Sequence, residues 1–310
     1  MKPAAFDYVA PRTVAEAVDA LGTGGRRAQV LAGGQSLILE MRLERIRPDL
    51  VVDINRIPAL DELRVRDGTL RVGALVRHRA FESAHAVPGP LGALFARAVG
   101  NIAHPPIRAR GTMVGSVAWA HPASEWCAIA VALDADVEMA GPRGARNLAA
   151  GDFFQGPLKT AGQPGELITS VRYPLLGDDT GVGFVEHRRT HFCFAQVAAA
   201  AALTARGGVI SEARIGLVNC ADRPLRAHAA EAALTGVEIG PPLDGYRLPE
   251  NHPFARAGRI AAERDAAPVA EPYADLEYRG HAIAVVVART LCQAASDQRS
   301  RARALEGESR

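Results

Sequence analysis

The chain has 310 residues and a net charge of +2, with 48% apolar and 23% charged residues, the balance of a folded protein of two or three modest domains. That charge supplies no field for a polyanion, and 5% aromatics are too sparse for a base-stacking surface, so nucleic acid is excluded as a partner. The longest apolar runs, 192–203 and 282–288, are too short or too alanine-rich to span a bilayer. Residues 1–7 lack the apolar core of a secretory signal. Cys127, Cys193, Cys220 and Cys292 form no C-x-x-C, which argues against a disulfide scaffold, a zinc knuckle or an iron–sulfur cluster on this chain. Free thiols and no signal point to the cytoplasm.

In chain order, 12–21 reads as a helix, with Thr13 and Glu16 as a capping box and Val14, Ala17, Val18 and Leu21 on one face; Gly22 to Gly25 end it. Next comes Gln29-Val30-Leu31-Ala32-Gly33-Gly34-Gln35-Ser36-Leu37-Ile38-Leu39-Glu40-Met41, a buried strand, a tight turn and a helix start. The glycines allow positive φ and let a ligand approach the backbone. Freed amides with a helix N-terminus behind them suit an anion such as phosphate, and Ser36 is placed to cap the helix or donate to that anion. The helix stops before Arg47-Pro48, and 50–54 is a second buried strand, which makes a βαβ unit with parallel strands.

From Leu63 apolar and polar residues alternate around Asp67-Gly68, a hairpin signature. Helical segments follow at about 81–86 and 91–99, then a loop from 101 to 116, a helix over 125–133, and strands over 136–139 and 167–173. That loop ends in a second small-residue stretch, Arg110-Gly111-Thr112-Met113-Val114-Gly115-Ser116. The two small-residue loops together imply opposite walls of a site for a long phosphorylated cofactor. A Pro/Gly/Asp cluster at 174–179 marks a boundary. Beyond it lie strands over 195–204 and 209–218 joined at Arg206-Gly207-Gly208, helices over 227–234 and 281–295, and a charged end expected to fray from 296. Phe192 and Phe194 are expected on one face of a strand, at least one of them in the core.

Other motifs weigh less. Asp53 stands twenty positions after Gly33, as a dinucleotide ribose acid would, but G-x-G-x-x-G is missing and a strand-end role is the plainer reading. His187 and His191 have helical i, i+4 spacing without a carboxylate at metalloprotease spacing, so no zinc site is assigned. Glu125 near a helix start has a plain role as a first-turn carboxylate. No nucleophile–base set is evident, and no catalytic residue is assigned.

With these pieces placed, the sequence resembles the FAD-binding medium subunit of the molybdenum hydroxylases, the family of xanthine dehydrogenase and carbon monoxide dehydrogenase. The matching text runs through Ala32-Gly33-Gly34-Gln35-Ser36, Asp53-Ile54-Asn55, His104-Pro105-Pro106-Ile107-Arg108-Ala109-Arg110-Gly111-Thr112 and Ala120-His121-Pro122-Ala123-Ser124-Glu125. It continues in Asp152-Phe153-Phe154, Gly156-Pro157, Glu166-Leu167-Ile168, Arg223-Pro224 and Ala230-Glu231-Ala232-Ala233-Leu234-Thr235-Gly236. The resemblance implies an α+β protein: a two-part FAD-binding domain (a βαβ unit, 1–59, and a mixed α/β unit, 60–176), a C-terminal domain of antiparallel sheet and helices (180–295) and a disordered tail (296–310). It implies FAD on this chain, with Ala32, Gly33, Gly34, Gln35, Ser36, Thr112, Met113, Val114, Gly115 and Ser116 at the pyrophosphate. Glu125 would lie near the ribityl chain, and Ala103, Ile168 and Phe194 would form the adenine or isoalloxazine walls. It also implies partners: an iron–sulfur small subunit with [2Fe–2S] clusters and a molybdopterin large subunit, as a dimer of heterotrimers in which this chain passes electrons to an external acceptor.

The family's second loop usually reads Thr-x-Gly-Gly, and here Val114 replaces the first of those glycines, where a Cβ could displace the backbone or forbid positive φ. His121 and Cys193 stand where Asp is common among relatives, and the lysine many carry after Phe184 is missing. Two other readings therefore stay open: a stand-alone flavin oxidoreductase, which would turn over alone, and a flavin-free scaffold subunit, which would refuse FAD.

Overall fold

The computed structural model describes residues 2–22, 25–241 and 248–308. The chain divides into two units, one of Met1–Ala80, His104–Ala120 and Asp134–Pro174, the other of Phe81–Ala103, His121–Leu133 and Leu175–Arg310.

In the first unit, strands β1 (Asp7–Val9), β2 (Ala28–Leu31) and β3 (Leu50–Asp53) form a parallel sheet in the order β1-β3-β2. The expected βαβ unit is present: β2 leads through Gly33-Gly34 into the helix Leu37–Arg42 and on to buried β3. The sequence reading missed β1, which is three residues long and exposed. Helix Val14–Gly22 begins where the Thr13 Oγ1 accepts from the Glu16 amide at 3.1 Å, while the Glu16 carboxylate accepts from the Arg12 amide at 2.8 Å. Of the residues expected to end this helix, Thr23 and Gly24 lie outside the described residues.

A five-stranded antiparallel sheet completes this unit: β4 (Leu63–Arg66), β5 (Thr69–Gly73), β6 (Asp136–Gly141), β7 (Gly144–Ala149) and β10 (Leu167–Pro174), in the order β4-β5-β10-β6-β7. The predicted β4–β5 hairpin turns at Asp67-Gly68, both at positive φ, as a two-residue turn requires. Arg71 on β5 reaches Glu138 at 3.1 Å and Glu62 at 3.3 Å, pairing charges across the sheet face. A short ribbon of β8 (Phe154–Gly156) and β9 (Lys159–Thr160) lies between β7 and β10 in sequence.

The second unit is built on an antiparallel sheet in sequence order: β11 (Thr180–His187), β12 (Val197–Arg206), β13 (Val209–Val218) and β14 (Leu225–Arg226). One face of β12, Val197, Ala199, Ala201 and Leu203, shares a core with Ile283, Val287 and Leu291 of the helix Leu276–Glu308. On the opposite face, where Gly216 of β13 pairs with Ala200, the helix Glu125–Ala132 lies against the sheet. Gly181 and Gly183 of β11 and Gly216 of β13 let helix backbones approach closely, at Ala294, Thr290 and Ala128. Phe81, Phe95 and Trp126 pack edge-on or tilted at 5.3–5.4 Å between ring centroids.

Three expectations are corrected. The segment expected to fray from 296 continues the helix to Glu308; residues 309–310 lie outside the described residues. Asp297 explains the continuation: it accepts from Arg97 at 2.8 Å, from the Val182 amide at 3.0 Å and from Arg301 one turn on at 2.8 Å. His187 and His191 do not share a helix; His187 ends β11, and its Nε2 is 2.6 Å from the Tyr278 hydroxyl. Phe192 and Phe194 lie before β12 and are exposed, with Phe192 at positive φ.

Candidate functional site

In the first unit a cleft of about 580 Å³ is lined by both small-residue loops. Ala32, Gly33, Gly34, Gln35 and Ser36 form one part of its wall, and Thr112, Val114, Gly115 and Ser116 another, with Ile168 of β10 beside them. Its size falls in the range of ligand clefts. The loops meet at Gly33, where a Cβ would stand 2.5 Å from the Arg110 carbonyl oxygen and 2.7 Å from the Gly111 Cα. Gly34 turns the chain at φ +73.

The backbone at this junction offers donors. Among the described residues, the amides of Gly33, Gly34, Gln35 and Ser36 have no protein acceptor, and helical bonding resumes with Ile38 N–H to Gly34 O at 3.2 Å. Ser36 does not cap its helix. Its side chain therefore keeps the second role open to it, on the cleft. In the other loop Thr112 is the cap: its Oγ1 accepts from the Gly115 amide at 3.0 Å and starts the helix Met113–Trp119.

Val114 sits in the first turn of that helix, without positive φ, and its side chain is 2% exposed. A glycine is not needed there for backbone geometry. Met113 contributes less than expected: its side chain is buried in the core and its amide is bound to Val76 O at 3.2 Å.

A polar chain that sequence reasoning missed fixes the two loops. The Asp53 carboxylate accepts from the Tyr8 hydroxyl at 2.6 Å and from the Asn55 side chain at 2.6 Å. Asp53 is thus a strand-end anchor, as the plainer reading had it. Asn55 Nδ2 also donates to Ala32 O at 2.9 Å, in the first loop. Asn55 Oδ1 accepts from Arg77 at 2.6 Å, and the other Arg77 terminal nitrogen donates to Arg110 O, in the second loop. The only signal for this chain was the Asp53-Ile54-Asn55 motif; nothing near Arg77 marked it. His78, next along, is buried on the cleft wall, and its amide donates to Gly111 O at 3.0 Å. Burial, with the Arg108 and Arg77 charges, pushes its imidazole down to about 4, so it is neutral at physiological pH. Glu166 also lines the cleft, its carboxylate matched bidentately by Arg146 at 2.7 Å and held below the usual range mainly by that bond.

Ala103, Glu125 and Phe194 belong to the second unit. Ala103 has φ +42. Phe194 is 63% exposed, its ring stacked on His121 at 4.4 Å. Glu125 is buried at the start of its helix; burial, then the Glu186 charge, raises its carboxyl to about 8. Glu186, also missed from sequence, is the related case: its side chain is 1% exposed, neither oxygen has a hydrogen-bond partner, and Arg188 lies 3.6 Å away. Burial pushes it up to about 7.

A cleft edged by two small-residue loops, the first with four unspent amides, suits a phosphorylated cofactor such as a dinucleotide. Residues 4–176 match the family model described as the FAD binding domain in molybdopterin dehydrogenase, and 184–294 match the carbon monoxide dehydrogenase flavoprotein C-terminal domain. The chain belongs to this family: it is an FAD-binding medium subunit of the molybdenum hydroxylase type, and so an oxidoreductase subunit. It is similar to the carbon monoxide dehydrogenase medium chain of Afipia carboxidovorans, with 33% identity covering 98% of this chain and 99% of that one. It is also similar to the caffeine dehydrogenase subunit beta of Pseudomonas sp. strain CBB1, with 39% identity over 77% of this chain and 81% of the relative. A solved carbon monoxide dehydrogenase from Hydrogenophaga pseudoflava matches 96% of this chain and 99% of its own with a TM-score of 0.86 at 33% identity. No helix among the described residues is long and apolar enough to cross a membrane.

Proposed function

We propose that this chain is the electron-transfer flavoprotein of a three-subunit molybdenum hydroxylase. It would take electrons from the [2Fe–2S] clusters of a small subunit, themselves filled by a molybdopterin large subunit, and deliver them to an external acceptor. The observation that carries this reading is the pair of loops on one cleft with four unspent amides in the first. Backbone donors of that kind suit a diphosphate.

Ala32, Gly33, Gly34, Gln35 and Ser36, with Thr112, Val114, Gly115 and Ser116, hold the pyrophosphate. Ile168 supplies a wall. By the resemblance, Ala103 and Phe194 add walls and Glu125 lies near the ribityl chain. Bound FAD supplies the redox chemistry; the residues bind it, orient it and keep its surroundings neutral. His78 is neutral and Glu166 is matched by Arg146, so neither sets an unpaired charge against the diphosphate. The domain spans 1–59, 60–176 and 180–295 serve as the working division, and we place the complex in the cytoplasm as a dimer of heterotrimers.

The test is transfer between chains. The FAD-loaded chain, mixed anaerobically with its reduced iron–sulfur partner, is followed at the flavin absorbance bands. Bleaching that needs the partner supports the proposal. Intact flavin bands beside a partner that stays reduced would refute it.

A further inference from the structure

Each of the two loops is held from behind at a backbone carbonyl. Ala32 O is bound by Asn55, and Arg110 O by Arg77. These holds are not independent, because the Arg77 guanidinium also donates to Asn55 Oδ1 at 2.6 Å. Asn55 in turn is oriented by Asp53, through its side chain at 2.6 Å and its amide at 2.9 Å, and Asp53 by Tyr8. The loops are also in direct contact at Gly33, so a shift of one meets the other. The planar Arg77 fork, with its several fixed donors, holds an amide oxygen and a carbonyl oxygen at once.

We propose that Arg77 is a positioning residue that sets the register of the two FAD loops, with Asn55 as its hinge. This rests on the proposed pyrophosphate role of those loops. Arg77 touches no part of the cofactor in this account. Through Asn55 it fixes the Ala32 carbonyl, and thereby the Gly33 amide of the same peptide, and at Arg110 O it holds the second loop in register with it, so that the unspent amides of the first loop stay aimed at one diphosphate. The free protein then has its donors aligned before the ligand arrives, and binding does not have to order them.

The test measures FAD and ADP binding by the purified chain freed of flavin. ADP carries the diphosphate without the isoalloxazine. Variants R77M, N55D and the double variant are compared with wild type, and R71M, on the charged sheet face, serves as a stability control. Loss of a charge-assisted hydrogen bond predicts about tenfold weaker binding for R77M, by the same factor for FAD and ADP. N55D keeps an acceptor for Arg77 but cannot donate to Ala32 O, and should weaken both ligands similarly. The double variant should lose no more than the worse single one, because the residues form one chain of bonds. R71M should lower the unfolding midpoint without changing either affinity.

If wild type binds FAD and R77M binds it as tightly, the positioning role falls and the flavin reading stands. If R77M and R71M weaken FAD in proportion to lost stability, Arg77 is merely structural and the role falls again. If wild type binds no FAD, the functional reading itself fails and this inference goes with it.

Discussion

Gly33 faces the Arg110 carbonyl so closely that an added Cβ would stand 2.5 Å away, against backbone on both sides of the contact. Gly33→Ala must push the loops apart and should cost about 1–3 kcal/mol of stability. A denaturant titration of the flavin-free chain checks the cost. Loss of FAD uptake in the same variant checks the site; normal uptake would detach this junction from the cofactor. Glu125 gives a pH signature. Its carboxyl is raised from 4.5 to about 8 by burial and by Glu186, so the folded chain keeps a proton that the unfolded chain releases. Stability is therefore fully present below about pH 4.5 and falls as pH rises toward 8. Glu125→Gln imitates the protonated form. Wild type should lose stability relative to that variant over this window, and a constant difference from pH 4.5 to 8 would contradict the burial argument.

At the scale of elements, local signals were legible and non-local ones were not. The β4–β5 hairpin, the βαβ unit and the Thr13 cap are set by neighbours in sequence, and each stands where its residues predicted. The last helix was cut short because the polarity of 296–308 reads as solvent-facing. Its partners, Arg97 and the Val182 amide, lie over a hundred positions away and leave no local trace. Asp297→Ala should accordingly cost about 2–4 kcal/mol, seen in denaturant unfolding, where a change at a frayed tail would cost nothing. Val114 taught a similar lesson. The concern was that its Cβ could displace the backbone or forbid positive φ; the residue is helical, without positive φ, and its side chain is buried. Val114→Gly should lower stability by about 2–4 kcal/mol through lost packing and helix propensity, without tightening FAD. A tighter FAD complex in that variant would revive the flavin-free scaffold reading.

For the whole molecule, the family was legible because many short motifs occur in order, and the match to both family models covers nearly all of the chain. The loops that line the cleft were found from their glycines. The Asp53–Asn55–Arg77 chain was largely hidden because Arg77 lies past the β4–β5 hairpin, far in sequence from Asn55 and Arg110, and holds the second loop at a backbone carbonyl, which carries no residue identity. Under the proposed function the chemistry of the substrate lies on another chain. The decisive measurement is an absorbance spectrum with metal analysis of the native protein isolated with its partner chains. One FAD per chain, with iron and molybdenum on the co-purifying subunits, is the predicted result. A complex that carries those metals yet holds no flavin, even after FAD is added, would contradict the account.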